Sequence, residues 1–359
     1  MSRPTMVDYV HETPSVVRAQ LEGDFALPLV EAFCAGEFAR VRIVASGSSR
    51  NAALIARASL RRALGREVLV TEPYTFCTYE HELPSDEFCF VISQSGFSTN
   101  ALAALATIRT AGRVAIGVTG DLESDFREAA DILVDYGVGK EQVGYVTKGV
   151  TSLATFLMLF GAQIAEREGR AKATETYNSI RTMLYQFDAV TRQTPALLEA
   201  RYKELSSMDR VFMVGAGTNY GIACEGALKL AECLQIPAQA VELDEFLHGP
   251  NLQLTPDYTV FFVAVGERSW ARTQQIVAAT CLVTDHVFVL SDCPWEEADI
   301  RVEHKGDELI APLAALPAFQ VLAWQLTEDK HLWHKHPLVA RFDAQLSGKS
   351  ESYVDKETL

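Results

Sequence analysis

The sequence predicts an α/β fold with two tandem, doubly wound parallel-sheet domains. Three observations support this prediction: the chain has 359 residues, its first half resembles its second half at a fixed spacing, and apolar strands alternate with helical segments. At roughly 100–200 residues per domain, this length corresponds to two domains. Apolar strands that alternate with helices are typical of a parallel sheet covered on both faces.

The internal repeat has a spacing of 170 residues. In each copy an apolar run ends in a turn of small residues. Three pairs of residues share the spacing: Gly47 and Gly217, Glu72 and Glu242, Gly96 and Gly266. Three landmarks at one spacing indicate two copies of one domain rather than a short-period solenoid.

The predicted elements follow one another in the order strand, turn, helix. In the first copy the predicted strands are 41–45, 68–71, 88–92 and 114–118, with a helix at 100–111, and the second copy begins with a strand at 211–214. Residues 171–201 lack strand signals and are predicted to be helical. We therefore expect an N-terminal helical segment (1–38), a first domain (39–170), a linker helix (171–203), a second domain (204–345) and a C-terminal tail (346–359).

Composition and charge exclude several classes of protein. The formal net charge is −15, which argues against a nucleic-acid-binding protein because such proteins usually carry a basic patch. No hydrophobic signal core follows Met1, and the apolar stretch 153–165 is shorter than the roughly 20 residues that span a bilayer. Seven scattered cysteines without a CxxC pattern indicate reduced thiols. We therefore expect a cytoplasmic protein with no nucleic-acid or membrane partner.

A serine-rich segment is the first candidate site. The hydroxyls concerned belong to Ser48, Ser49, Ser93, Ser95 and Ser98. They follow two predicted strands and precede helices, where free N–H groups and the helix dipole favour an anion such as phosphate. Helix capping is the alternative, but a cap needs only one hydroxyl. In the second copy, the equivalent segment 263–266 has lost the hydroxyls, so we expect one anion site per chain.

Charged residues in the second copy form a further candidate site. Glu225, Lys229 and Glu232 have the spacing i, i+4, i+7 and share one face of a predicted helix. Such a face is usually solvated and contains an ion pair, but this helix follows a turn where ligand sites cluster. His248 stands before a Gly-Pro turn, where it could form a structural hydrogen bond or shuttle a proton.

No metal or cofactor is expected. The histidines His331, His334 and His336 do not match a common zinc spacing, and no cysteine pair accompanies them. Histidine and lysine near the end of a helix also interact favourably with the helix dipole.

Five motifs in this order resemble those of the SIS (sugar isomerase) family. They are Ala45-Ser-Gly-Ser-Ser, Ser93-Gln-Ser-Gly, Val146-Thr-Lys-Gly, Glu225-Gly-Ala-Leu-Lys-Leu-Ala-Glu and Glu245-Phe-Leu-His-Gly-Pro. More closely, these motifs resemble the tandem isomerase half of glucosamine-6-phosphate synthase and its stand-alone relatives, the fructosamine-6-phosphate deglycases. This resemblance implies two tandem SIS domains, which are flavodoxin-like αβα sandwiches.

The resemblance also implies roles for particular residues. Phosphate contacts are implied for Ser49, Ser93, Gln94, Ser95 and Ser98, and a sugar loop for Ser48, Tyr145, Val146 and Lys148. Glu232 resembles the carboxylate that moves a proton between C1 and C2, while Lys229 and Glu225 match further active-site positions. His248 resembles the ring-opening histidine, which in the family reaches the neighbouring subunit's site and so implies a homodimer. Lys349 resembles the family's lysine that forms a Schiff base.

We therefore expect a phosphosugar enzyme that acts at C1 and C2 of a 6-phosphorylated amino sugar or sugar–amine adduct. Deglycase chemistry is favoured because only about forty residues precede the first strand, so we do not expect a glutaminase domain. An amino-sugar-phosphate isomerase or deaminase is the nearest alternative. A non-catalytic sugar-phosphate sensor is a third, which the presence of both Glu232 and His248 disfavours.

Overall fold

The computed structural model describes residues 4–296, 298–303, 306–334 and 336–354. These residues form two compact units. The first domain comprises Ser15–Thr176 together with the residues from His334 onward. The second domain comprises Tyr177–Trp333 together with the residues up to Pro14.

The first sheet has five parallel strands. Helices α1 (Met6–Glu22) and α2 (Leu27–Cys34) precede it. Its strands are β1 (Arg40–Ala45), β2 (Glu67–Thr71), β3 (Glu87–Ile92), β4 (Ile116–Thr119) and β5 (Ile132–Asp135), in the spatial order β2-β1-β3-β4-β5. The helices that follow these strands are α3 (Gly47–Leu64), α4 (Pro73–Tyr79), α5 (Thr99–Thr110), α6 (Phe126–Ala129) and α7 (Lys148–Arg167). The strands and the helix predicted for this copy are confirmed with small shifts, and β5 is an additional strand.

Helix α7 is apolar on all sides because it is the core helix of the first domain. In the described part of the chain it is the one helix long and apolar enough to cross a membrane, yet 89% of its most apolar window is buried. The sequence predicts an apolar stretch too short to span a bilayer, whereas the structure embeds that stretch in a 20-residue helix. Burial inside the domain accounts for its composition.

The second sheet repeats the first. Its elements are α8 (Ala173–Ala200), α9 (Tyr202–Ser206), β6 (Val211–Gly215), α10 (Thr218–Leu234), β7 (Ala238–Glu242), β8 (Thr259–Ala264), α11 (Glu267–Thr280), β9 (Val287–Ser291), β10 (Ile300–Arg301) and α12 (Leu316–Lys330). The strand order β10-β9-β8-β6-β7 is that of the first sheet read from the other edge. This order is the flavodoxin-like one, so the predicted pair of doubly wound domains is confirmed.

The compact units group several residues differently from the predicted segments, and the predicted N-terminal segment is divided between them after Pro14. Helix α8 covers the segment predicted as a linker, but from Tyr177 onward it groups with the second domain. The reason is a buried apolar face at helical spacing, which includes Ile180, Leu184 and Phe187. Helix α13 (Pro337–Gln345) groups with the first domain, as does the described part of the tail.

An aromatic cluster in the first domain provides a test of the core. The ring of Phe160 in α7 lies 5.9 Å from that of Phe33 and 6.2 Å from those of Phe88 and Phe90. The substitution Phe160→Ala should lower the free energy of unfolding by about 3–5 kcal/mol, because it removes a buried ring and leaves a cavity. The matched control Phe342→Ala removes a ring that is 65% exposed and should cost less than about 0.5 kcal/mol. Urea unfolding measures both, and equal effects would contradict the assignment of α7 to the core.

Candidate active site

The strand order of the first domain creates a crevice between β1 and β3. These two strands are neighbours in the sheet, and Ala45, the last residue of β1, pairs with Ile92, the last residue of β3. In open α/β sheets ligands bind beyond the carboxyl ends of the strands at such a switch point. Residues 46–49 and 93–98, which follow the two strands, therefore meet at the same edge.

A cavity of about 480 Å³ lies at this edge. Among the residues predicted from sequence, it is lined by Ser48, Ser49, Ser93, Gln94, Ser95, Ser98, Val146 and Lys349. The predicted phosphate contacts thus share one cavity with the C-terminal lysine. Two members of the predicted sugar loop do not line it. Lys148 is the first residue of α7 and only 1% exposed, and the carbonyl oxygen of Tyr145 accepts a hydrogen bond from Thr147.

The hydroxyls of two serines at this edge do not act as helix caps. Ser46 and Ser98 occupy the N-cap positions of α3 and α5, but neither side chain makes a capping hydrogen bond. Ser46 Oγ accepts a hydrogen bond from Asn100 (2.9 Å), and Ser98 Oγ accepts one from Ser93 Oγ (3.3 Å). This geometry favours ligand binding over the capping alternative.

Gly96 shapes the serine loop. Its φ of +67° lies in the left-handed region, which glycine adopts without strain. A Cβ at this position would overlap the side chain of Ser124. The N–H of Gly96 donates to the carbonyl oxygen of Ser93 at 3.0 Å and lies 3.2 Å from Ser93 Oγ. The tight turn therefore keeps the hydroxyls of the loop on one small surface.

Glu141 is a lining residue that the sequence analysis missed. Its carboxylate accepts hydrogen bonds from the side-chain amide of Gln94 (2.5 Å) and from the backbone N–H groups of Thr147 (2.7 Å) and Lys148 (2.8 Å). Burial raises the pKa of Glu141, although these hydrogen bonds oppose the rise. The side chain of Gln94 is thereby anchored at the start of α7. An acidic residue shortly before an apolar helix was the available sequence signal.

A C-terminal strap, residues 347–354, completes the cavity. Lys349 forms an isolated antiparallel bridge with Ser98. The N–H of Thr99 donates to the carbonyl oxygen of Gly348 (3.1 Å), and the N–H of Ser350 donates to the carbonyl oxygen of Phe97 (2.9 Å). These contacts place the Lys349 ammonium 2.7 Å from Ser95 Oγ and 3.3 Å from Ser98 Oγ.

The equivalent crevice in the second domain is filled by its own side chains. Asn219, 170 residues after Ser49, exchanges hydrogen bonds with the backbone of Val265 at 3.0 and 3.2 Å. Asp292 accepts hydrogen bonds from the N–H of Gly266 (2.9 Å) and from the indole of Trp270 (2.7 Å). A carboxylate thus occupies the N-terminus of α11, which favours the interpretation that the anion site is confined to the first copy.

Helix α10 carries a buried charge network. Glu225 and Lys229 are fully buried, and their charged atoms lie 3.5 Å apart. The Lys229 ammonium also donates to Glu232 Oε2 at 2.6 Å, and the Glu232 side chain is 31% exposed. Burial disfavours the charge of Lys229, but the two carboxylates outweigh that effect and raise its pKa above the ordinary value. The predicted helix face is therefore mostly covered, and Glu232 is the member that reaches solvent.

His248 lies on the surface of the second domain. It follows the short 3₁₀ helix Glu245–Leu247, and its backbone N–H donates to the carbonyl oxygen of Glu245 (3.0 Å). The neighbouring Leu247 and Leu252 are 37% and 85% exposed.

The described ranges of the chain contain no candidate metal-binding site. There, no three His, Cys, Asp or Glu side chains are grouped to hold a metal ion. Nδ1 of His336 instead accepts a hydrogen bond from the N–H of Leu338 (3.2 Å) at the start of α13.

Comparison with known families supports the resemblance noted in the sequence. Residues 204–280, in the second domain, match the SIS domain model, so the predicted resemblance to the SIS family is confirmed. The chain is 26% identical over 350 residues to the isomerizing glutamine–fructose-6-phosphate aminotransferase of Gloeobacter violaceus, which covers 92% of this chain and 56% of that protein. It is 25% identical over 296 residues to the human isomerizing glutamine–fructose-6-phosphate aminotransferase 2, and this match covers 80% of this chain and 43% of that protein. The chain thus spans about half the length of these relatives.

Solved structures share the fold over nearly the whole chain. A candidate phosphosugar isomerase from Clostridium difficile 630 has a TM-score of 0.88 at 22% identity, covering 97% of this chain and 99% of that one. The C-terminal domain of glucosamine-fructose-6-phosphate aminotransferase from Francisella tularensis has a TM-score of 0.79 at 18% identity, covering 92% and 97%. Glucosamine-6-phosphate deaminase from Thermotoga maritima has a TM-score of 0.74 at 21% identity, and the match covers 90% of this chain and 94% of that one. At these identities the likeness establishes the fold.

The buried network of α10 makes a prediction about stability. Lys229→Met should lower the free energy of unfolding by about 3–5 kcal/mol, because it leaves Glu225 buried without its cation. Without this cation the buried Glu225 carboxylate should have a raised pKa, so the loss of stability should grow as pH rises through that pKa and shrink in mild acid. Urea unfolding at mildly acidic and mildly basic pH measures the effect, with the exposed Lys203→Met as control.

The double variant Glu225→Gln/Lys229→Met removes the stranded charge and should recover part of the lost stability. A single variant that loses no more stability than the control at either pH would contradict the assigned network.

Proposed function

We propose that this protein is an enzyme that acts at C1 and C2 of a 6-phosphorylated sugar that carries an amine. The observation that carries the proposal is the difference between the two switch points. Hydroxyls line a cavity at the first, whereas Asn219 and Asp292 fill the second. The relatives are named for fructose 6-phosphate and glucosamine 6-phosphate, which supports a hexose 6-phosphate as ligand.

The phosphate group would bind to the serine loop of the first domain. The hydroxyls of Ser49, Ser93, Ser95 and Ser98 would donate to its oxygens, as would free N–H groups at the start of α5. Gln94 would contribute from the same loop, and Ser48 and Val146 would line the path toward the sugar. The phosphate is four carbons away from C2, so it supplies binding and orientation rather than chemistry.

Glu232 would be the carboxylate that moves the proton between C1 and C2. Its partial exposure gives it access to a ligand, and the Lys229 ammonium at 2.6 Å fixes the orientation of the carboxylate. Glu225 offsets the buried charge of Lys229 from the other side. His248 would open the sugar ring, since an imidazole can exchange a proton near neutral pH.

A deglycase reaction follows from these roles. The open-chain substrate is a ketose 6-phosphate with the amine nitrogen bonded to C1. Glu232 removes a proton from C1 and O2 takes up a proton, which gives an enolamine. Glu232 then returns its proton to C2 and nitrogen releases one, which balances the proton taken up by O2 and gives an imine between C1 and nitrogen. Water then adds to C1, and the C1–N bond breaks as a proton passes to nitrogen. The products are a free amine and an aldose 6-phosphate.

The position of Lys349 favours the deglycase over amination of a ketose. The ammonium lies at the serine hydroxyls, which are expected to hold the phosphate and not the carbonyl carbon. An isomerase or deaminase remains the second candidate, supported by the similarity to glucosamine-6-phosphate deaminase. In that reaction the proton moves from C2 to C1, and hydrolysis of the imine at C2 releases ammonia.

We further propose a homodimer with shared active sites in the cytoplasm. The exposed leucines beside His248 support a partner chain at this surface, where the family resemblance expects the histidine to reach the neighbouring site. The seven cysteines all lie among the described residues and form no disulfide there, which suits a reducing compartment.

A product assay tests the proposed reaction. Fructoselysine 6-phosphate, glucoselysine 6-phosphate and glucosamine 6-phosphate are incubated separately with the full chain, and free amine, ammonia and hexose phosphate are measured. We expect amine release from an adduct, slowed at least about 100-fold by Glu232→Gln because the base is lost. The matched control Glu199→Gln, on the exposed side of α8, should leave turnover unchanged.

Other outcomes are equally informative. Turnover of glucosamine 6-phosphate alone would select the isomerase or deaminase. Binding of sugar phosphates without any turnover would favour the sensor. Full activity of the Glu232→Gln variant would exclude Glu232 as the catalytic base.

Subunit complementation tests the shared site. Glu232→Gln and His248→Asn chains, each inactive alone, are co-expressed with different tags and purified as a heterodimer. If His248 serves the partner's site, one site of the heterodimer carries both lesions and the other carries none, so about half of the wild-type activity should return. An inactive heterodimer would contradict a shared site.

A further inference from the structure

The ammonium of Lys349 is partly buried and has no carboxylate partner within the described part of the chain. Its hydrogen-bond acceptors are the hydroxyls of Ser95 and Ser98, and the ring centroid of Tyr353 lies 5.3 Å from its nitrogen. Burial lowers the pKa of Lys349, and no charged group among the described residues opposes this shift. Within the ranges that the structure describes, the charge of Lys349 is therefore stabilised by the dipoles of neutral groups alone.

Two buried cations elsewhere in this protein have anionic partners. Lys229 lies 3.5 Å from Glu225, and Arg42 lies 2.6 Å from Glu87. Removing a cation from water costs free energy unless an anion compensates. A cation without such a partner, in a cavity and beside hydroxyls, is typical of a site whose anion arrives with the ligand.

We propose that Lys349 is the cation that binds the phosphate of the substrate and that it forms no covalent bond with the sugar. This inference rests on the phosphorylated substrate of the proposed function. The hydroxyls and the start of α5 carry only partial charges, and the N–H of Thr99 already donates to Gly348. An ammonium that contacts two of the hydroxyls adds a charge-assisted hydrogen bond at the same point.

The alternative role makes a different demand on geometry. A Schiff-base lysine must reach C2, which is four carbons away from the phosphorylated C6. An amine held by the hydroxyls that bind the phosphate lies at the opposite end of the sugar. The contacts of Lys349 with Ser95 and Ser98 therefore favour the phosphate role.

A latch holds the strap in place and makes Asp125 a positioning residue. Its carboxylate accepts a hydrogen bond from Ser352 Oγ at 2.6 Å. The next residue, Tyr353, packs its ring 5.6 Å from that of Phe97 and also faces the Lys349 ammonium. Asp125 thus acts on the ligand through the strap.

Binding of a non-reactive sugar phosphate tests the role of Lys349. Glucitol 6-phosphate is an open-chain hexitol without a carbonyl group, and its affinity for the full chain can be measured by calorimetry. Lys349→Met should weaken binding about 10- to 100-fold, the loss expected for one charge-assisted hydrogen bond. Lys349→Arg keeps the charge and should retain most of the affinity and the turnover. The exposed Lys172→Met is the matched control and should bind normally.

Borohydride reduction with fructose 6-phosphate supplies the opposing test. A Schiff base would leave a covalent adduct on Lys349, detectable by mass spectrometry, and Lys349→Arg would then be inactive although it binds glucitol 6-phosphate. Either result would overturn the proposal, as would unchanged binding by a folded Lys349→Met chain or no binding by the wild type. If Lys349→Met weakens the binding of glucitol 6-phosphate but the wild-type chain turns over no substrate, this inference is upheld and the proposed function fails.

A double-mutant cycle tests the latch. Asp125→Ala should weaken binding of glucitol 6-phosphate in the wild-type background but have little effect in the Lys349→Met background, because both changes remove the same contact. Additive losses in the two backgrounds would show that Asp125 does not act through Lys349.

Discussion

The parallel pairing of β1 with β3 is the constraint on which the candidate site depends. It places two strands side by side that are not consecutive in the chain, and it aligns their carboxyl ends. The loops after Ala45 and Ile92 must therefore share one crevice. The serine loop, the anchored Gln94 and the C-terminal strap all meet at this crevice. A shift in the pairing of β1 with β3 would separate the hydroxyls from one another.

The two copies of this fold share a backbone arrangement but differ in the side chains beyond their strands. The second sheet aligns β6 with β8 in the same way, since Gly215 pairs with Val263. Its crevice has equivalent loops, but Asn219 and Asp292 fill it with the protein's own amide and carboxylate. The second domain instead carries the buried charges of α10. The two copies of the fold therefore differ in the side chains that they place at the same position.

Local patterns explain most of what could be predicted from the sequence. Apolar runs bounded by glycine turns predicted the strands, and the serines after β1 and β3 predicted the residues that line the first-domain cavity; their role as an anion site stays a prediction. The position of Lys349 in the cavity could not be predicted from local patterns. Its contact with Ser98 joins residues 251 positions apart and depends on the path of the tail. Glu141 was missed because its partner Gln94 is brought to it by the fold. The core face of α8 needs knowledge of what packs on it, so a helix predicted as a linker belongs to a domain.

The stoichiometry of phosphosugar binding tests the central claim, that the first copy alone has kept an anion site. Calorimetric titration of the full chain with glucitol 6-phosphate should give one site per chain. The substitution Ser95→Asp, which places a carboxylate in the first-domain cavity, should abolish that site. Two sites per chain, or a single site that survives this substitution, would contradict the account.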